Sequence, residues 1–61
     1  MPNLTQKELI ALEEALGSEQ LLVKKFRAYA TQAQDPQIRE SAEQMAGRHK
    51  QHFDTLMGYL Y

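Results

Sequence analysis

A proline at position 36 separates two stretches in which apolar residues recur every three or four positions. Pro36 has no amide to continue a helix, and it biases Asp35 out of helical geometry. It suits the first position of a new helix, with Asp35 as the N-cap. Before the break lie Leu9, Leu12, Leu16, Glu19, Val23, Phe26, Ala30 and Ala33; after it lie Ile38, Ala42, Met45, His49, Phe53, Leu56 and Leu60. Such spacing marks an amphipathic helix on each side. The expectation is an all-α chain, with a helix over about 6–33, a turn at about 34–35 and a helix over about 36–60.

Local chemistry supports the first boundary. Thr5-Gln6-Lys7-Glu8 has the form of a capping box, and Leu4 and Leu9 stand at the flanking staple positions. Ala15, Leu22 and Tyr29 form a second column beside the first stripe, and Met45, His52 and Tyr59 form one beside the second. These columns widen each stripe beyond a coiled-coil seam and suit a helix with more than one neighbour. Gly17 interrupts the first helix at a cost of about 1 kcal/mol relative to Ala, which the surrounding periodicity should carry. Gly47 and Gly58 are expected to permit close helix approach.

A short turn makes the two helices antiparallel. Residues whose numbers sum to about 69 then lie level, within the ~1.5 Å rise of one residue. Leu9 meets Leu60, Leu12 meets Met57, Leu16 meets Phe53, and Val23 meets Ala46. Phe26 falls between Ala42 and Met45, and Ala30 lies near Ile38. With 61 residues this is a single domain over 1–61, and a core of that size supplies only about 3–5 kcal/mol. The chain has no cysteine, so neither disulfides nor thiolate metal sites can staple it. Oligomerisation is the remaining staple. The expected architecture is an antiparallel two-helix hairpin that dimerises into a four-helix bundle.

Charge and hydropathy narrow the partners. The net charge is −1, with Lys and Arg scattered among acids, which argues against nucleic acid and anionic membranes as partners. Lys24, Lys25, Arg27, Arg48 and Lys50 are read as solvated surface. No apolar run approaches the ~20 residues of a spanning helix. The stretch from Met1 to Thr5 lacks a basic region followed by an apolar run, so the protein is expected to be made and kept inside the cell. No nucleophile elbow, phosphate-binding glycine loop or acid–base carboxylate pair is present, so an enzyme is not expected. Tyr29, Tyr59 and Tyr61 are assigned to packing and interfaces rather than to ligand stacking.

The chemical signal lies in the polar exceptions. Glu19 interrupts the first stripe and His49 the second, and the ladder places them beside each other. An ionisable group in an apolar layer needs a partner or a metal. Glu19, His49 and His52 are therefore candidate ligands for iron, manganese or zinc. Helical dimetal sites take a Glu from each of two helices and a Glu-x-x-His motif from each of the others. Here Ala46 stands three before His49, so that carboxylate is missing. A hydrogen-bonded Glu19–His49 pair is preferred over a metal site, with His52 read as a bundle-edge side chain whose polar end meets water.

The pattern Leu16-Gly17-Ser18-Glu19-Gln20-Leu21-Leu22, Tyr29-Ala30, Asp35-Pro36-Gln37-Ile38-Arg39 and His49-Lys50-Gln51-His52 with Leu56 resembles the spore coat protein F-like family. The likeness runs from about Glu8 to Tyr61, on short motifs that many helical hairpins share. It implies a ferritin-like half-bundle from a spore-forming Firmicute, made in the mother-cell cytoplasm and deposited with other proteins in the spore coat. The implied role is structural, without catalysis. Glu19 and His49 resemble the helix-one Glu and the His of the ferritin-like dimetal motif. Ala46 departs from that motif, which speaks against oxidase or ferroxidase activity. The alternative the resemblance carries is a small ferritin-like metal-binding protein.

Overall fold

The computed structural model describes residues 3–60 and shows an antiparallel helical hairpin with no strand among them. Helix α1 spans Gln6–Gln32 and α2 spans Pro36–Met57. The capping box forms: the Glu8 amide donates to Thr5 Oγ1 at 3.1 Å, and the Thr5 amide donates to Glu8 Oε1 at 3.0 Å. The bonds from the Thr5 amide and hydroxyl hold the Glu8 carboxyl below its ordinary range. The carboxylate's share of the cap is thus complete above the usual carboxylate range and is lost as pH falls through the lowered value, while the Glu8 amide bond to Thr5 remains.

Between the helices, Ala33 turns to extended geometry (φ −69°, ψ 128°), which closes α1 one residue short of the expected end. Asp35 accepts from the Gln37 amide at 2.8 Å, and Pro36 occupies the first turn of α2. Arg39 reaches back across the turn, and its Nε and Nη2 donate to the Ala33 carbonyl at 3.3 and 2.9 Å. A cation on the carbonyl end of α1 also complements the helix dipole. The far end of α2 differs more from expectation. Regular helix stops at Met57, and Gly58, Tyr59 and Leu60 close a tighter turn through bonds to Thr55, Leu56 and Met57 carbonyls at 3.1, 3.1 and 3.0 Å. Such i→i+3 bonding is the usual way a helix end tightens.

The helices meet along Val23, Ala30, Ala42 and Ala46, which are buried. Three of the four are alanines, so small side chains set the close approach. The glycines do not: a Cβ on Gly47 would meet nothing within 4 Å, and one on Gly58 would meet the Thr55 and Asp54 backbone oxygens of its own helix end, at 3.1 and 4.0 Å. Gly17 likewise faces open space, and no glycine has a positive φ. Gly17→Ala and Gly47→Ala should each therefore stabilise the protein by about 1 kcal/mol, because alanine costs less backbone entropy and clashes with nothing. Denaturant melts of the two variants check this, and a loss of stability in either would show that the glycine serves a contact the hairpin does not contain.

The hairpin is a thin rod, 46 × 14 × 10 Å. Among the described residues no large side chain is fully buried. Its two long flanks differ chemically. One groove is lined by Phe26, Tyr29, Ile38, Ser41, Ala42 and Met45. On the opposite flank two shallow grooves are lined mainly by Gln20, Lys24, Arg27, Thr31, Arg39, Glu43 and Lys50. Ile38, expected beside Ala30 within the stripe, instead lines the apolar flank with Met45 and is 59% exposed. Phe53 stays half-buried at the seam and borders the polar flank, while Tyr29 of the second column is 55% exposed. Tyr61 lies outside the described residues.

Candidate functional site

Glu19 sits mid-way along α1, at a position the three-four spacing turns toward α2. His49, three residues after the buried Ala46, faces it from α2. Their side chains meet, with His49 Nδ1 2.7 Å from Glu19 Oε2. The two side chains are only 18% and 17% exposed. An ionised carboxylate accepts but cannot donate, so the shared proton belongs to His49 Nδ1, and Nε2 is the ring's free nitrogen whenever the imidazole is neutral.

His52 joins them. Although 59% exposed, it turns Nδ1 to within 3.5 Å of the same Glu19 oxygen. The expectation that its polar end simply meets water is thus incomplete. The i,i+3 spacing puts both histidines over one side of α2, and their rings meet edge-on at 5.4 Å between centroids, 88° apart. One ligand atom from each of Glu19, His49 and His52 lies within 4.8 Å of the other two.

Aromatic packing orients the cluster. Phe26 lies flat on His49, with ring centroids 5.7 Å apart and planes 5° from parallel. Tyr29 meets the edge of Phe26 at 6.0 Å and 84°. A continuous row of rings, Tyr29, Phe26, His49 and His52, therefore runs along the apolar flank. Spacing arguments placed Phe26 by its contacts with Ala42 and Met45, with which it lines the groove, and missed its stack on His49. Phe26 and His49 sum to 75, so their backbones are not level, but on antiparallel helices each side chain leans toward its own N-terminus and these two lean toward each other.

No protein-family model, curated protein or solved structure matches this chain.

The function must be read from the geometry. Ala46 is buried against α1, so a carboxylate there would have to part the helices, an overpacking that costs about 1–3 kcal/mol. The cluster thus consists of one carboxylate and two imidazoles, with no second acidic group three residues before His49. Lys50 is occupied elsewhere, bound to Asp54 at 2.6 and 2.9 Å on the exposed surface. No helix among the described residues is long and apolar enough to cross a membrane.

Proposed function

We propose that this chain is a non-enzymatic structural and interaction module, in which each hairpin supplies half of a homodimeric four-helix bundle. The observation behind this reading is the unequal pair of flanks. Phe26, Tyr29, Ile38 and Met45 line one side, while no large side chain is fully buried anywhere among the described residues. Burying a large apolar side chain contributes about 1.5–3 kcal/mol, and a second copy offers a matching surface through a two-fold axis. The charged residues of the other flank keep that side in water. Resemblance to the spore coat protein F-like family supports a ferritin-like arrangement of the four helices. The same resemblance supports synthesis in the mother-cell cytoplasm and deposition with other proteins in the spore coat.

Sedimentation equilibrium at micromolar concentration should show a dimer. Ile38→Asp should weaken self-association by about tenfold or more, since a charge would enter the apolar contact, a difference of ~1.4 kcal/mol or greater. Lys24→Gln, on the polar flank, should leave association unchanged. A stable, fully helical monomer would sink the reading, as would a dimer indifferent to Ile38→Asp.

A further inference from the structure

The Glu19–His49 hydrogen bond accounts for two members of the cluster but not for the third. His52 is exposed enough for water to satisfy its ring, yet its Nδ1 lies 3.5 Å from the oxygen that His49 already engages. Three donors converging on one point are what a small cation requires. Zinc binds imidazole nitrogen at about 2.0–2.1 Å and carboxylate oxygen at about 2.0–2.2 Å, so ligand atoms around a tetrahedral ion stand roughly 3.3 Å apart. The Glu19–His52 separation of 3.5 Å already has that size. The Glu19–His49 separation of 2.7 Å is that of a bond with a proton between the atoms; replacing the proton by a metal ion opens it by about 0.6 Å.

The geometry points to a mononuclear site for a divalent first-row transition ion, held by Glu19, His49 and His52 of one hairpin. Its donor set, one anionic oxygen and two neutral nitrogens, suits zinc, iron(II) or manganese(II), with affinity rising along the usual order toward zinc. His49 is pre-oriented by the face of Phe26, and Glu19 by its place in the middle of α1. His52, the exposed member, makes the remaining adjustment, closing the 4.8 Å span of the cluster. Three protein donors leave at least one coordination position for water. The site is complete within a single chain, so it does not depend on pairing between hairpins.

Untagged protein, stripped with chelator and then dialysed free of it, should be titrated with zinc by calorimetry and with cobalt(II) by visible absorption. One ion per chain is expected, with cobalt bands of a four- or five-coordinate nitrogen–oxygen site. His52→Ala, at an exposed position, should keep the helical circular dichroism and lower zinc affinity by about tenfold or more. Glu19→Gln should lower it further, and Glu14→Gln, an exposed carboxylate elsewhere on α1, should change nothing. Absence of stoichiometric uptake by the wild type would overturn the assignment. So would uptake that His52→Ala leaves unaltered while the fold is intact, since the ion would then not be held by this triad.

Discussion

Phe26→Ala is expected to destabilise the protein by about 3–5 kcal/mol, the range for removing a large aromatic side chain from a packed site. That is close to the whole stability that a chain of this size can draw from one core. Phe26 combines several contacts in one ring. It lines the apolar groove with Ile38, Ala42 and Met45, lies flat on His49, and receives Tyr29 at its edge. Truncation would open space beside Ala42 and also free the His49 ring to rotate. Each kcal/mol moves the melting temperature of a small domain by about 4–8 °C, so a drop of roughly 12 °C or more should appear by circular dichroism. Phe26→Leu keeps most of the volume and should cost clearly less. A melting temperature unchanged by Phe26→Ala would show that the helices are in a different register.

Glu19 gives the second large effect, read in chelator so that metal plays no part. Glu19→Leu should cost about 1–3 kcal/mol, because the His49 Nδ1 donor, in a side chain only 17% exposed, would lose its acceptor. Glu19→Gln should be milder, since the amide oxygen can still accept from the imidazole. The order of the two variants matters more than either magnitude. Leucine is the better residue for an apolar stripe by propensity and hydropathy, so a purely hydrophobic account predicts the reverse order. Urea melts that find Glu19→Leu as stable as Glu19→Gln would remove the polar pair as a structural element.

Much of this arrangement is legible in the residue order. The residues expected on the α1 stripe, from Leu9 to Ala33, are all buried or half-buried. Level pairing across the turn places Glu19 beside His49, and the structure brings them within hydrogen-bonding distance; Val23 and Ala46, paired by the same rule, are both buried. The errors have local causes. Ile38 obeys the spacing but stands at the edge of its stripe with Met45, so it lines the open groove rather than the seam. The small size of Gly47 and Gly58 suggests close approach, yet direction decides that, and a Cβ on either would meet no atom of α1.

Residue order by itself determined the two helices, their caps, the antiparallel turn and the level at which Glu19 faces His49. Those properties follow from local backbone preferences and from a fixed rise and rotation per residue, which a one-dimensional sequence encodes directly. Only the tertiary structure decided that His52 turns toward Glu19, that Phe26 stacks on His49, and that Arg39 closes the turn on the Ala33 carbonyl. Helical spacing gives the direction of each Cβ but leaves the side-chain rotamers open. Those rotamers are selected by how closely the helices approach, and here that distance is set by the alanines at positions 30, 42 and 46.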